Sequence, residues 1–206
     1  MQISRPPSGR PHSEGPLRTE SNRRLTATTG LLLVVLLVAE SATVLLLRVH
    51  LIAPHLVLGV LAIPPLALKL ATTGYRFVRY YLGDPDYVAA GPPGPMLRMT
   101  APVLVVSTIV LFASGLELWW FGSRFGTLWL PLHKLSFLVW GLFIAMHTLG
   151  HLEGAATATV RELRTGSHVR GLWRRRTSLL VSLALGILLA TLVLAGQGPA
   201  ALPLGG

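Results

Sequence analysis

Apolar residues fall in five long stretches, from about Thr28 to Leu47, Leu51 to Thr72, Ala101 to Trp120, Leu128 to Leu152 and Leu179 to Ala195. Each is close to the roughly 20 residues that an α-helix needs to cross a bilayer's hydrocarbon core. The pattern predicts an all-α polytopic transmembrane bundle of five spans. Residues 1–27, rich in Pro, Ser, Gly and Arg, lack the apolar positions needed for a core and read as a disordered basic tail. Residues 28–196 form the predicted transmembrane bundle, and 197–206 a short tail beyond it. A signal peptide is the competing reading of the first stretch, but the run is long for one and no small-x-small cleavage site follows. Gly83 to Pro95, GDPDYVAAGPPGP, is expected to be a loop between spans. Pro54 suits a first helical turn, whereas Pro64 and Pro65 remove two backbone donors inside the second span and should bend it.

Composition agrees with this pattern: of 206 residues 51% are hydrophobic and 13% charged, against about 25% charged in a soluble domain, and the mean hydropathy is +0.60. The net charge of +10 would fit a polyanionic partner, but the apolar runs leave no polar domain to carry a nucleic-acid surface. Its placement has a simpler cause. Arg5, Arg10, Arg18, Arg23 and Arg24 precede the first span; Arg76, Arg79 and Arg98 lie in the second loop; Arg161, Arg164, Arg170, Arg174, Arg175 and Arg176 lie in the fourth. Only Arg48, Arg124 and Lys134 fall on the opposite side, and Lys69 sits near the inner end of the second span. The positive-inside rule then places the N-terminus in the cytoplasm and the C-terminus outside. Trp173, among the arginines of the fourth loop, would rest on anionic headgroups or help dock a cytoplasmic partner. The absence of cysteine excludes disulfides, thiolate metal sites, iron–sulfur ligation and cysteine nucleophiles.

Candidate chemistry therefore contracts to polar groups inside the spans, where an ionisable side chain is costly and faces the bundle interior. Glu40, near the middle of the first span, reads as a proton relay, a partner for a buried cation, or a neutral acid hydrogen-bonded between helices. The fourth span carries His133 at its outer end and His147 and His151 toward its inner end. At 100° per residue His133 and His151 are in line and His147 is about 40° away, so all three share one face with Phe137, Trp140 and Ile144. Fourteen residues of helix span about 21 Å, the separation that would let one helix serve two haems stacked across a bilayer. His55, one turn inside the second span, lies at the depth of His133, and the two form the preferred axial pair. Gly59, a turn below, would leave room for a flat macrocycle. His147 and His151 have no histidine opposite them in the other spans; with Glu153 nearby they read as an inner ligand set, a divalent-metal pair, or groups bonded to neighbouring helices. Glu117, Trp119, Trp120 and Trp129 read most simply as an interfacial belt.

The segment LHKLSFLVWGLFIAMHTLGH, with SGLEL at the end of the preceding span, resembles the membrane haem-b subunits of the bacterial cytochrome b561 and nickel-hydrogenase cytochrome b group. More closely, PHLVLGVLAIPPLALKLATTGYRFVRYYLGDPDY followed by GPP and LHKLSF resembles a set of actinobacterial integral membrane proteins of cytochrome b-like character. The likeness covers Pro54 to Leu152. It implies a multi-pass protein of the bacterial plasma membrane, binding non-covalent haem b and passing electrons between a quinone and a redox partner subunit. His133 and His55 carry over as ligands, and His147 or His151 as an inner ligand. A fourth histidine is missing, which favours one haem over two. The alternative is a haem-free scaffold or small ion or proton transporter built on a Glu/His cluster.

Overall fold

The computed structural model describes residues 15–45, 52–92, 94–122, 127–163 and 171–196, with some side chains near the ends of these segments left out. Six helices follow one another: α1 Gly15–Leu45, α2 Ile52–Tyr81, α3 Pro85–Ala89, α4 Pro95–Phe121, α5 Trp129–Leu163 and α6 Leu172–Gly196. All but α3 are long and apolar enough to cross a membrane, and no strand occurs among the described residues.

Their packing follows from what lipid rewards. Apolar side chains gain little by leaving hydrocarbon, so interfaces form where small residues let backbones approach and where hydroxyls find partners. Large residues accordingly point outward, among them Val35, Val106, Leu142, Leu180 and Ile187, while Thr29, Ala62, Pro65, Ser114 and Ser182 are buried. Buried hydroxyls bond back to their own helix, as in Thr29 to the Leu25 carbonyl at 2.7 Å and Ser114 to the Leu111 carbonyl at 3.0 Å. Gly186 of α6 lies so close to α2 that any Cβ there would strike the Leu61 carbonyl. Helix α1 packs on α2, α5 and α6; α2 also packs on α6; and α4 packs chiefly on α5.

The polar segments are more ordered than their composition implies. Helix α1 starts at Gly15, inside the segment expected to be a disordered tail. Glu20 pairs with Arg23 and Arg24 one turn on, and Asn22 donates to the Thr72 carbonyl of α2 at 3.2 Å, which together tie these turns down. The expected loop after α2 contains a short helix. Asp84 caps it by accepting from the Asp86 backbone N–H at 3.1 Å, and Pro85 occupies its first turn, a pairing that favours helix initiation. Arg79 holds Asp84 in an ion pair, and Gly83 and Gly91 take positive φ at either side. Trp173 to Arg176, expected in a loop, form the first turn of α6. Pro64 and Pro65 lie within a helix assigned without a break.

Candidate functional site

One end of the bundle gathers Glu40 near the end of α1, His55 in the first turn of α2 and His133 in the first turn of α5. The centroids of the two imidazole rings are 6.2 Å apart and their planes are nearly perpendicular, at 83°. Helices α2 and α5 make little backbone contact, so the two histidines meet across a gap between helices.

The partners of the His133 ring fix its proton. His133 Nδ1 lies 3.0 Å from the Leu111 carbonyl, which can only accept, so Nδ1 carries the hydrogen. Ser114 Oγ, 3.1 Å from the same nitrogen, already donates to the Leu111 carbonyl and serves as a second acceptor. The surroundings of His55 are less one-sided: its Nδ1 lies 3.2 Å from Thr43 Oγ1, which donates to the Glu40 carbonyl at 2.6 Å, and 3.0 Å from Glu40 Oε1, a carboxyl that accepts when ionised and can donate when neutral. His133 thus keeps its hydrogen on Nδ1 when neutral, leaving the lone pair on Nε2. Histidines that ligate metals are held in this way, with the remote N–H given to a carboxylate or a backbone carbonyl.

Glycines let the site close up. A Cβ on Gly115 would come 3.0 Å from His133 Cε1, and one on Gly59 would come 3.0 Å from Glu40 Oε1. The space beside Gly59, expected to accommodate a macrocycle, is thus taken by the Glu40 carboxylate. Glu40 Oε2 is buried and has no hydrogen-bond partner among the described residues. Below the site, Ser136 and Trp140 of α5 are buried, and Trp140 stacks on Phe137 at 6.2 Å.

The other expected site residues stand apart. His147 is half-buried in the opposite half of α5, and no cluster of three His, Asp or Glu suited to a metal ion forms among the described residues. The side chains of His151 and Glu153 lie outside the described residues, as do His50, His168 and Arg124. Lys69 is tied into the α1–α2 interface, donating to the Thr26 carbonyl at 2.7 Å against Gly30.

Thr43, Ser114 and the Leu111 carbonyl are members of the site that sequence reasoning missed. Thr43 follows Glu40 by three residues and so shares its helix face, which could have marked it; nothing in the sequence marks Ser114 or the Leu111 carbonyl as neighbours of His133. No family model, curated protein or solved structure matches the chain.

Proposed function

We propose that this is an integral-membrane b-type haem protein that carries electrons, with His55 and His133 as axial ligands near one membrane surface. The observation that carries the reading is the spacing of the two rings. The rings of His55 and His133 come from two different helices and stand 6.2 Å apart, centre to centre, so that both imidazoles could be recruited to one haem iron. Haem b, when bound, supplies a one-electron couple at its iron.

The chain's own groups do the rest. Leu111 and Ser114 hold the His133 ring, Thr43 and Glu40 hold His55, and the Leu111 carbonyl at His133 Nδ1 makes that imidazole a stronger donor. Glu40 must move its carboxyl from beside Gly59 or share that space with the macrocycle edge. With no histidine facing His147 among the described residues, the reading is one haem. The resemblance of Pro54 to Leu152 to haem-b membrane subunits supports it, and on this reading the chain would sit in a bacterial plasma membrane with a quinone or a redox subunit as partner.

The test is a reduced-minus-oxidised spectrum of the purified chain. Haem bands that are lost in His133→Ala and His55→Ala and kept in His147→Ala are expected; their absence from the wild type overturns the reading. The unpartnered Glu40 Oε2 beside His55 favours a second reading, a haem-free proton or ion carrier. That reading requires flux into vesicles that Glu40→Gln abolishes.

A further inference from the structure

At the arginine-rich end, remote from the histidines, α1, α2, α3 and α6 line an open cleft of about 400 Å³. Arg18, Arg174 and Arg175 line it with Ser21, Asn22 and Ser178, and no Asp or Glu is among the described residues at its wall. The site is built rather than incidental. Arg175 is only 2% exposed and donates from Nη1 to Ser21 Oγ at 3.0 Å. Gly171, at φ +88°, turns the chain into α6 so closely that a Cβ would lie 3.3 Å from Ser21 Oγ and 3.7 Å from Arg175 Nη1. Tyr75 and Tyr87 close another side, edge to face at 5.9 Å.

Positive charge converges at the start of a helix. Arg174, Arg175 and Arg176 occupy the first turn of α6, which has no acidic residue, and the positive end of a helix dipole disfavours cations there. Backbone N–H groups at that end, together with two or three guanidinium groups, match the oxygens of a phosphate. A shallow surface groove beside the cleft shares Arg174 and Ser178 and runs past Thr177 to Val181. It opens onto the apolar outer face of α6, where Leu180, Leu185 and Leu188 are exposed. A free phosphate would use only the cleft, whereas a phosphate carrying acyl chains would use both.

We propose that this end of the bundle binds the phosphate of an anionic phospholipid, with the headgroup among Arg18, Arg174 and Arg175 and an acyl chain along the Thr177–Val181 groove. The lipid would fasten α6 to α1 independently of the histidine site.

The test is thermal unfolding of the full chain in neutral detergent with added phosphatidylglycerol, phosphatidylcholine or inorganic phosphate, since a ligand of the folded state raises the midpoint. Phosphatidylglycerol alone should raise it. Arg18→Gln/Arg174→Gln, which replaces two exposed side chains, should weaken the apparent affinity about tenfold or more, while Arg98→Gln, an exposed arginine at the same end but outside the cleft, should leave it unchanged. Circular dichroism of the lipid-free double variant should match wild type, and native mass spectrometry should show its phosphatidylglycerol adduct depleted. Equal effects of phosphatidylcholine, or full affinity in the double variant, would overturn the proposal. Inorganic phosphate that reproduces the shift and displaces the lipid would assign the cleft to a soluble anion and overturn the lipid reading.

Discussion

Gly115→Ala tests the histidine site by adding a single methyl group. Its Cβ would stand 3.0 Å from His133 Cε1, where carbon atoms prefer about 3.5–4.0 Å, so the ring must give by a few tenths of an ångström. The ring is held by the Leu111 carbonyl at 3.0 Å and Ser114 Oγ at 3.1 Å. Movement of that size lengthens or misaligns these bonds, taking them beyond the roughly 3.2 Å at which N–H···O bonds are strong. Each bond contributes about 1 kcal/mol, so if His133 holds haem as proposed, weakening one or both bonds should lower haem affinity by about five- to thirtyfold at 1.4 kcal/mol per decade. The assay is titration of haem into the apoprotein followed by Soret absorbance. Gly141→Ala on α5 is the control, because a Cβ there meets nothing within 4 Å. Equal affinities for the two variants would refute the argument that Gly115 positions the ligand.

Other perturbations have equally definite outcomes. Gly186→Ala should destabilise the bundle by about 1–3 kcal/mol or more through overpacking, because its Cβ would strike a backbone carbonyl of α2; Gly74→Ala, in open space, should not, and denaturant unfolding compares them. Asp84→Ala should cost about 1 kcal/mol of local stability by removing the α3 cap, read as faster amide exchange over 85–90 with the spans unaffected. Burial pushes the Tyr87 phenol above its ordinary value of 10. The folded state therefore holds this proton more tightly than the unfolded chain, so the stabilisation is full below pH 10 and is lost as pH rises through the folded value. Alkaline titration should show a late phenolate band that Tyr87→Phe removes.

The site was half legible from the sequence. His55 and His133 could be paired because helical depth depends only on the distance of each residue from its span's end, and Glu40 stood out as a carboxyl in an apolar run. That Glu40 joins His55, and that Leu111 and Ser114 hold His133, could not be read, because both depend on which helices are neighbours and how each is rotated. The ordered start of α1 was hidden for a related reason. A polar, Arg-rich composition argues against a core, yet Asn22 and Ser21 are held by Thr72 and Arg175, residues far along the chain.

Composition and apolar run length alone determined five helices and the membrane class, because a hydrocarbon layer of fixed thickness imposes one helix length and forbids unpaired backbone. Charge placement set the expected orientation in the same one-dimensional way. The tertiary structure decided the helix neighbours, the ring spacing of 6.2 Å, the His133 tautomer and the arginine cleft. These depend on contacts between residues 12 to 154 positions apart, made where glycines and hydroxyls let helices approach, and the hydropathy pattern that sorts residues between lipid and water contains no record of them.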